Sequence, residues 1–208
     1  MKVILFGASG MIGSRILKEL IQRGHSVTAF VRNPEKVTAD GVTVVQGDMT
    51  DRASVVTAAK GADAAISAYS PPQTDPGLVI GVTRSLVSTL AEAKVPRLIV
   101  VGGAGSLEVA PGVQVVDTPD FPQAWKAIAL SHRDVLPVLK EADLDWTYFS
   151  PAGLIEPGAR TGKFRVGTTR LIANDRGESR ISAEDYAVAL VDELENPKHV
   201  RQQMTAGY

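Results

Sequence analysis

A glycine-rich turn joins the first apolar run of the chain to the first helical pattern, and it constrains the fold more than any other feature. Val3 to Phe6 is a short continuous apolar run that ends at Gly7, which is typical of a strand buried on both faces. After the turn, apolar residues recur at helical spacing, at Ile12, Ile16, Leu17, Leu20 and Ile21. A strand and a helix joined in this way predict the first half of a βαβ unit.

Strand-length apolar runs and helical patterns alternate through the first 150 residues. Further strands are predicted at 27–31, 42–45, 62–68, 97–101 and 146–149, and the longer helices at 77–93 and 124–141. Strict alternation of this kind predicts the α/β class, with a doubly wound parallel sheet that carries helices on both faces.

The alternation ends at Pro151, and the remaining residues are predicted to form a small C-terminal lobe. Ser182-Ala183-Glu184-Asp185 is a capping-box start for a helix that runs to Asn196-Pro197. The segment is too small for a separate domain. We therefore expect residues 1–208 to form a single domain, with 151–208 lying over the carboxyl edge of the sheet on the substrate side.

Composition excludes several classes of protein. The chain has no cysteine, so cysteine nucleophiles, disulfides, zinc–thiolate sites and iron–sulfur clusters are ruled out, and no metal site is predicted. Scattered charges, 22 Lys+Arg against 23 Asp+Glu, argue against a nucleic-acid binder. No signal-peptide pattern follows Met1, and no apolar run approaches the roughly 20 residues of a membrane span. We therefore expect a cytoplasmic protein without a membrane segment.

The spacing of the glycine turn predicts a dinucleotide site. In such a turn one glycine allows the tight bend, one lets the backbone approach a pyrophosphate, and one lets the helix pack against the sheet. The free N–H groups at the helix N-terminus then face the phosphates. The predicted cofactor-binding residues of the turn are Gly7, Ser9, Gly10, Met11, Ile12 and Gly13. The alternative is a tight βα turn without a ligand.

The end of the second strand favours NADP(H) over NAD(H). An NAD-selective site places a carboxylate there for the ribose 2′-hydroxyl, whereas this chain has Arg32, which suits a 2′-phosphate. Arg15 or Lys36 could add to phosphate binding. The alternative for Arg32 is a solvated charge at a strand end.

The catalytic pair of ordinary short-chain dehydrogenases is missing. That pair is Tyr-x-x-x-Lys, in which the lysine lowers the pKa of the tyrosine. Four residues after Tyr69, Tyr148 and Tyr186 lie Gln73, Ala152 and Leu190, and Tyr208 is the last residue.

Segments along nearly the whole chain resemble the atypical short-chain dehydrogenase/reductases, the group with NmrA-like and biliverdin/flavin reductase-like members. These segments are GASGMIG (a GxxGxxG turn), VRNPEKV, GDMTD, VVGGAGSL, LKEADLDWTYFSPAGLIEPG and ISAEDYA. The resemblance implies a Rossmann-type fold, with the nicotinamide over the carboxyl ends of strands four to six. It implies further cofactor contacts at Asp48, Met49, Ser67, Ala68, Tyr69, Gly102 and Gly103, with Asp48 at the adenine edge. For Asp48 the alternative is a helix N-cap together with Asp51.

Two residues are predicted to be catalytic. By the resemblance, His132 lies on the helix that would otherwise carry Tyr-x-x-x-Lys and faces the cofactor, and histidine titrates near neutral pH. The alternative for His132 is a surface or core histidine without a catalytic role. Ser106 is near the position of the family's usual serine and could polarise a carbonyl, with a turn serine as the alternative. Lys126 is a weaker donor candidate. With a flavin or quinone acceptor, solvent can supply the proton and positioning supplies most of the rate.

The substrate side offers further candidates. Residues 103–123 form a long stretch without periodicity, which in a compact domain is usually functional or disordered. Phe121 and Trp125 could form an apolar wall for a planar substrate, although core packing is an equal alternative for Trp125. Arg160, Lys163 and Arg165 could attract an anionic substrate, or belong to a solvated hairpin.

The sequence therefore predicts an NADPH-dependent reductase of a small carbonyl, quinone or flavin-type acceptor, as a monomer or homodimer. A non-catalytic NADP(H)-binding redox sensor is the alternative, because the usual catalytic pair is missing. A sugar-nucleotide epimerase is disfavoured, since it needs that pair and a larger substrate lobe.

Overall fold

A computed structural model describes residues 1–208 and places an eight-stranded sheet at the centre of the chain. The strands are β1 (Lys2–Phe6), β2 (Ser26–Val31), β3 (Val42–Gln46), β4 (Ala64–Ser67), β5 (Arg97–Val101), β6 (Glu108–Ala110), β7 (Val113–Gln114), β8 (Asp145–Ser150), β9 (Leu154–Glu156), β10 (Arg165–Gly167), β11 (Arg180–Ser182) and β12 (Gln202–Gly207). The helices are α1 (Met11–Gln22), α2 (Arg52–Ala59), α3 (Leu78–Ala93), α4 (Gln123–Arg133), α5 (Val135–Lys140) and α6 (Ala183–Glu195).

The order in the main sheet is β10-β12-β8-β5-β4-β1-β2-β3, and every neighbouring pair is parallel except β10 with β12. The predicted α/β class and doubly wound sheet are therefore confirmed. The chain runs outward from β1 to β3 in one direction and from β4 to β12 in the other. The direction reverses between β1 and β4, which is where open α/β sheets bind ligands, at the carboxyl ends of the strands.

Alternate residues of β1 enter two apolar cores. Val3 and Leu5 pack with α1 and α6 on one face of the sheet, and Ile4 and Phe6 pack with α2, α3 and α5 on the other. A strand buried on both faces must be apolar at every position, which explains the uninterrupted run in the sequence.

The predicted helix over 124–141 is two helices, α4 and α5. Pro137 has no N–H to donate to the carbonyl of Arg133, and its ring opposes a continuous helix there. The two helices therefore meet at Asp134, which ends α4 and begins α5.

Several strands beyond residue 103 are not predicted from the sequence. β12 pairs with β8, and β10 pairs with β12, so part of the predicted C-terminal lobe extends the main sheet. β9 pairs with β11. The stretch 103–123 contains the hairpin of β6 and β7 and is not structureless. The predicted start of α6 is correct, since the Ser182 hydroxyl accepts the Asp185 N–H at 3.0 Å. None of the helices combines the length and apolar character needed to cross a membrane.

Candidate functional site

A cleft of about 300 Å³ opens at the carboxyl ends of β1, β2, β3 and β4, beside the point where the strand order reverses. Loops from all four strands contribute to its walls. Among the lining residues are Gly7, Ser9, Gly10, Arg32, Asn33, Lys36, Asp48, Met49, Ala68 and Tyr69. The structure thus brings together predicted cofactor residues from four separate segments of the chain.

The glycine turn has room for a ligand but no room for side chains at two of its glycines. Gly7 has a φ of +79°, and a Cβ there would lie 2.4 Å from the carbonyl oxygen of Ala68. A Cβ at Gly13 would lie 2.0 Å from the carbonyl oxygen of Gly7. α1 begins at Met11, directly after this turn, so its first N–H groups have no partner within the helix. The turn therefore fits an anionic group held by backbone amides.

Basic side chains follow β2 at the rim of the cleft. Arg32, Asn33 and Lys36 line it, and Arg32 and Lys36 are exposed. Arg32 is close enough to Asp48 and Tyr69 to influence the ionisation of both. These two cations are placed to meet a phosphate on a ligand in the cleft.

Asp48 closes a turn and does not cap a helix. Its carboxylate accepts the Thr50 N–H at 2.8 Å and the Thr50 hydroxyl at 2.7 Å. These two hydrogen bonds, with a smaller contribution from Arg32, lower the pKa of Asp48. The N-cap of α2 is Asp51, which accepts the Ser54 N–H at 3.2 Å. The N-cap alternative for Asp48 is therefore wrong, and its carboxylate borders the cleft as an anion.

Part of the cleft lining is apolar. Tyr69, Met49, Pro72, Leu78 and Val82 line it, and partial burial raises the pKa of Tyr69. Ser67, the last residue of β4, is 5% exposed and lies beneath the lining, whereas Ala68 reaches the cleft. Apolar and aromatic lining residues in a cleft that also carries basic side chains suit the flat face of a base.

His132 lies beside the loop that follows β5. A Cβ added at Gly103 would be 3.0 Å from the Cβ of His132. His132 is half-buried, its Nδ1 is shielded from solvent without a hydrogen-bond partner, and this partial burial lowers the pKa of the imidazole. Gly102 is equally constrained, because a Cβ there would lie 2.4 Å from the ring of Tyr148. The predicted residues Gly102, Gly103 and His132 therefore lie together at the carboxyl end of β5, outside the lining of the 300 Å³ cleft.

Ser106 is buried and fully engaged. It is 2% exposed, and its hydroxyl donates to the Gly103 carbonyl at 2.9 Å. The same oxygen accepts an N–H of the Gln203 side chain at 2.9 Å and lies 3.1 Å from the Ser150 hydroxyl. This arrangement fits a serine that fixes a turn, which was the alternative for this residue.

Several other candidate side chains lie elsewhere. Arg15 contacts Glu184 of α6 at 3.1 Å, and Arg160 holds both carboxylate oxygens of Glu19 at 2.7 and 2.8 Å. Arg165 donates to the backbone carbonyls of Ala173 and Tyr208. Lys163 is exposed, and Lys126 is half-buried on α4, about two turns before His132. The arginines thus serve as internal contacts.

The two aromatic residues near α4 differ in exposure. Trp125 is 54% exposed, so core packing as its explanation is wrong, and Phe121 is half-buried.

Tyr148 and Gln203 organise this end of the sheet, and neither is predicted as a site residue from the sequence. Tyr148 looked like an ordinary strand residue, and Gln203 belongs to a strand that was not predicted. The signal available for Tyr148 was the pair of adjacent glycines at 102–103, which implies a bulky neighbour packed against the backbone.

Comparisons with known proteins agree with this geometry. A family described as NAD(P)H-binding matches residues 7–197. A crystal structure of a protein from Burkholderia pseudomallei, provisionally described as exported, is 51% identical and covers 100% of both chains with a TM-score of 0.92. A provisionally assigned epimerase from Bacteroides thetaiotaomicron is 40% identical, covering 100% of this chain and 96% of its own, with a TM-score of 0.93.

A third solved structure has a more specific assignment. It is a protein from Streptococcus pneumoniae, provisionally assigned as an NADH-flavin reductase. It is 32% identical and covers 100% of this chain and 99% of its own, with a TM-score of 0.91.

Proposed function

Because the chain belongs to the NAD(P)H-binding family, as the resemblance predicted, we propose that it is an NADPH-dependent reductase. Its acceptor is a small carbonyl, quinone or flavin-type molecule. The observation that carries the cofactor assignment is the cleft, where a turn without room for side chains at Gly7 and Gly13 lies beside Arg32 and Lys36.

The chain's own groups fit a bound NADPH. The unpartnered amides at the start of α1 suit its pyrophosphate, Arg32 and Lys36 suit the 2′-phosphate, and the wall with Tyr69 suits the adenine. Asp48 is held in the anionic form by Thr50 and can accept a hydrogen bond from the adenine amino group. Gly102 and Gly103 let the ring of Tyr148 and the side chain of His132 pack against the backbone at the carboxyl end of β5, where the resemblance places the nicotinamide.

The bound cofactor would supply the hydride. For a carbonyl acceptor the oxygen must also gain a proton, and His132 is the titratable side chain beside Gly103 that can give it. Burial favours the neutral imidazole, so the proton-donating imidazolium forms only as the pH falls. A quinone or flavin can take its proton from water, and then the chain contributes binding, orientation and partial exclusion of water.

Ser106 acts in this proposal through the backbone of Gly103, because its own hydroxyl is occupied. We place the apolar border of the acceptor site at Trp125 and Phe121, which lie at the start of the helix that carries His132. A planar acceptor is therefore favoured over a small polar one.

A redox sensor that binds NADP(H) without turnover is the second candidate. The burial of Ser106 and the partial burial of His132 favour it, since few polar side chains are left to act on an acceptor. An epimerase remains disfavoured, despite the provisional assignment of the Bacteroides protein. The chain lacks the Tyr-x-x-x-Lys pair. In addition, β10 and β12 of the C-terminal segment 151–208 extend the sheet, which leaves fewer residues for the larger substrate lobe that an epimerase needs.

Calorimetric titration with NADPH and NADH, followed by NADPH oxidation against flavin, quinone and aldehyde acceptors, tests the proposal. Tight NADPH binding with turnover on any acceptor supports the reductase. Tight binding without turnover supports the sensor, and absence of binding contradicts both.

A further inference from the structure

The hydroxyl of Tyr148 joins three segments of the chain that meet at the carboxyl end of β5. The residue is fully buried on β8. Its hydroxyl donates to the carbonyl oxygen of His132 at 2.6 Å and accepts the N–H of Gly103 at 3.1 Å. One side chain therefore connects β8, the loop after β5 and helix α4.

Both backbone groups of Gly103 are held by side chains. Its N–H goes to Tyr148, and its carbonyl accepts the Ser106 hydroxyl at 2.9 Å. The ring of Tyr148 also fills the space where Gly102 would carry a Cβ. The peptide planes at 102–103 therefore have little freedom to rotate.

Helix α4 depends on these contacts more than the other long helices do. It contains no buried residue, whereas the shorter α5 buries Val135, Val138 and Leu139. α4 approaches the β5 loop through two glycines, since a Cβ at Gly103 would meet His132 and one at Gly105 would meet Ala129 at 2.9 Å. With so little apolar anchorage, a buried hydrogen bond at its last turn carries much of the positional control.

Tyr148 does not exchange a proton with a substrate. The phenol has no exposed surface, and its oxygen is already both donor and acceptor. Burial raises the pKa of Tyr148 far above neutrality, despite the opposing hydrogen bonds, so the hydroxyl keeps its proton.

We propose that Tyr148 is the positioning residue of the site, whose hydroxyl fixes the backbone of Gly103 and the imidazole of His132 relative to each other. This inference rests on the proposed reductase function and adds a residue to it. Removal of the hydroxyl leaves the Gly103 N–H and the His132 carbonyl short of a partner and lets α4 shift on the loop. A displacement of about 1 Å is enough to cost up to about 100-fold in rate.

Tyr148→Phe tests the proposal, with Tyr186→Phe as the matched control. Tyr186, on α6, is equally buried, and its hydroxyl also donates to a backbone carbonyl at 2.6 Å, that of Phe149. It packs against α1 on the opposite face of the sheet, and the Phe149 carbonyl keeps the Gly102 N–H, at 2.8 Å, as a partner when the hydroxyl is removed. Tyr148→Phe is expected to lower kcat for a carbonyl acceptor about tenfold or more, with KM for NADPH within about twofold. The acid limb of its pH profile should flatten, because His132 is no longer aligned. Tyr186→Phe should keep both the rate and the profile.

A second measurement, hydrogen exchange at the Gly103 amide, needs no turnover. In the wild-type protein the Gly103 amide should exchange its hydrogen as slowly as the amides of β5, because Tyr148 holds it. In Tyr148→Phe it should exchange as fast as an open loop amide such as that of Gly112, and the His132 ring resonances should shift.

The outcomes separate the inference from the proposed function. Unchanged kcat in a folded Tyr148→Phe protein, or fast exchange of Gly103 in the wild type, overturns the inference and leaves the reductase standing. If the wild-type protein binds NADPH but turns over no acceptor, the proposed function fails, and the positioning role in catalysis fails with it. If Tyr148→Phe does not fold, the exchange rate of the Gly103 amide in the wild-type protein tests the inference: slow exchange supports it, and fast exchange overturns it.

Discussion

A single methyl group at Gly13 would lie 2.0 Å from the carbonyl oxygen of Gly7, much closer than real atoms approach. Relief of that contact requires α1 to move away from the glycine turn, which displaces the amides that face the cleft. We therefore expect Gly13→Ala to weaken NADPH binding at least about tenfold, or ~1.4 kcal/mol, in a calorimetric titration. Gly81→Ala on α3 is the control, because nothing lies near its Cβ position and alanine favours a helix. Equal affinity of Gly13→Ala and wild type would contradict the phosphate-binding role of the turn.

Arg32 determines the cofactor preference in the same proposal. In Arg32→Asp a carboxylate replaces the guanidinium beside Asp48, so the 2′-phosphate of NADPH meets two negative charges. We expect NADPH affinity to fall about tenfold or more and NADH to gain relative to it, as measured by titration. Lys140→Asp makes the same change in net charge at the end of α5, which packs against α3 and β8 and contributes nothing to the cleft lining, and should change neither affinity. An unaltered NADPH to NADH ratio in Arg32→Asp would remove Arg32 from the cofactor site.

His132 should give turnover a specific pH dependence. Because burial lowers its pKa below 6.5, its imidazolium becomes populated only below that pH. With a carbonyl acceptor, kcat should therefore rise as the pH falls below about 6.5 and level off below the lowered pKa. His132→Ala should abolish this rise while keeping the KM for NADPH. A quinone acceptor is the internal control, since its rate should not follow His132. The same acid limb in His132→Ala would assign the proton to another group.

Residue types with strict steric or electrostatic demands could be recognised from the sequence. The glycine turn and Arg32 are of this kind, and both lie at the cleft. Ser106, Arg15 and Arg160 could not be assigned, because their side chains are used by residues distant in the sequence, namely Gln203, Glu184 and Glu19. The sequence of a glycine-rich loop does not distinguish a serine with a free hydroxyl from one whose hydroxyl is hydrogen-bonded.

At the scale of elements, the segment 157–163, here called the strap, is tied to α1 and α6. The Gly158 N–H donates to Glu184, and the Thr161 and Gly162 amides donate to Asp185, at 2.7 to 2.8 Å. Arg160 adds two hydrogen bonds to Glu19, which is 3% exposed and also bound to Arg23. The strap, which connects β9 to β10, is therefore fixed to α1 and α6 by hydrogen bonds and an ion pair.

Arg160→Gln should loosen the strap without weakening cofactor binding. Arg160 is half-exposed, so solvent reduces the value of its ion pair, and we expect a loss of about 1 kcal/mol. For a chain of this size that corresponds to a fall in Tm of about 2–4 °C in a thermal melt followed by circular dichroism. NADPH affinity should stay unchanged. Lys163→Gln, also in the strap but exposed, is the matched control and should not change the Tm. Weaker NADPH binding in Arg160→Gln would instead assign Arg160 a role in binding an anionic ligand.

The helices and strands differ in how well they can be predicted from their sequences. Strands β1, β2, β5 and β8 are apolar because both faces are covered, so their existence was predictable. β12 reads Gln-Gln-Met-Thr-Ala-Gly, and nothing in that composition favours a buried strand. Its polar side chain Gln203 is satisfied by Ser106 and Ser150, which only the folded chain brings near. The break between α4 and α5 was visible as Pro137.

At the scale of the whole molecule, carboxylates at several places have lowered pKa values. They are Glu19, Asp48, Glu184, Asp185 and Glu195. For Glu19 the leading cause is the hydrogen bond from Arg160. For the last three, burial acts in the opposite direction, but hydrogen bonds outweigh it. Four of the five lie on α1 or α6 and hold these helices to each other or to the strap.

Stability should consequently fall in acid. A carboxyl group with a lowered pKa in the folded state stabilises that state fully above its unfolded pKa, here 3.8 to 4.5, and less as the pH drops below it. We expect the Tm to decline steadily from about pH 4.5 downward. Glu19→Gln should lower the Tm at pH 7 and make the decline in acid shallower. A decline as steep as that of the wild type would show that Glu19 does not contribute to it.

The position of β12 between β8 and β10 has a consequence for synthesis. Residues 165–167 leave the ribosome before the strand they pair with has been made, because their only neighbour in the sheet is Gln202–Gly207. Until that segment emerges, the apolar strand Asp145–Ser150 is an open edge, able to pair with another chain. Translation order thus makes the closing of this edge a late event, and stalled or proteolysed chains that lack β12 would be the aggregation-prone form of this protein.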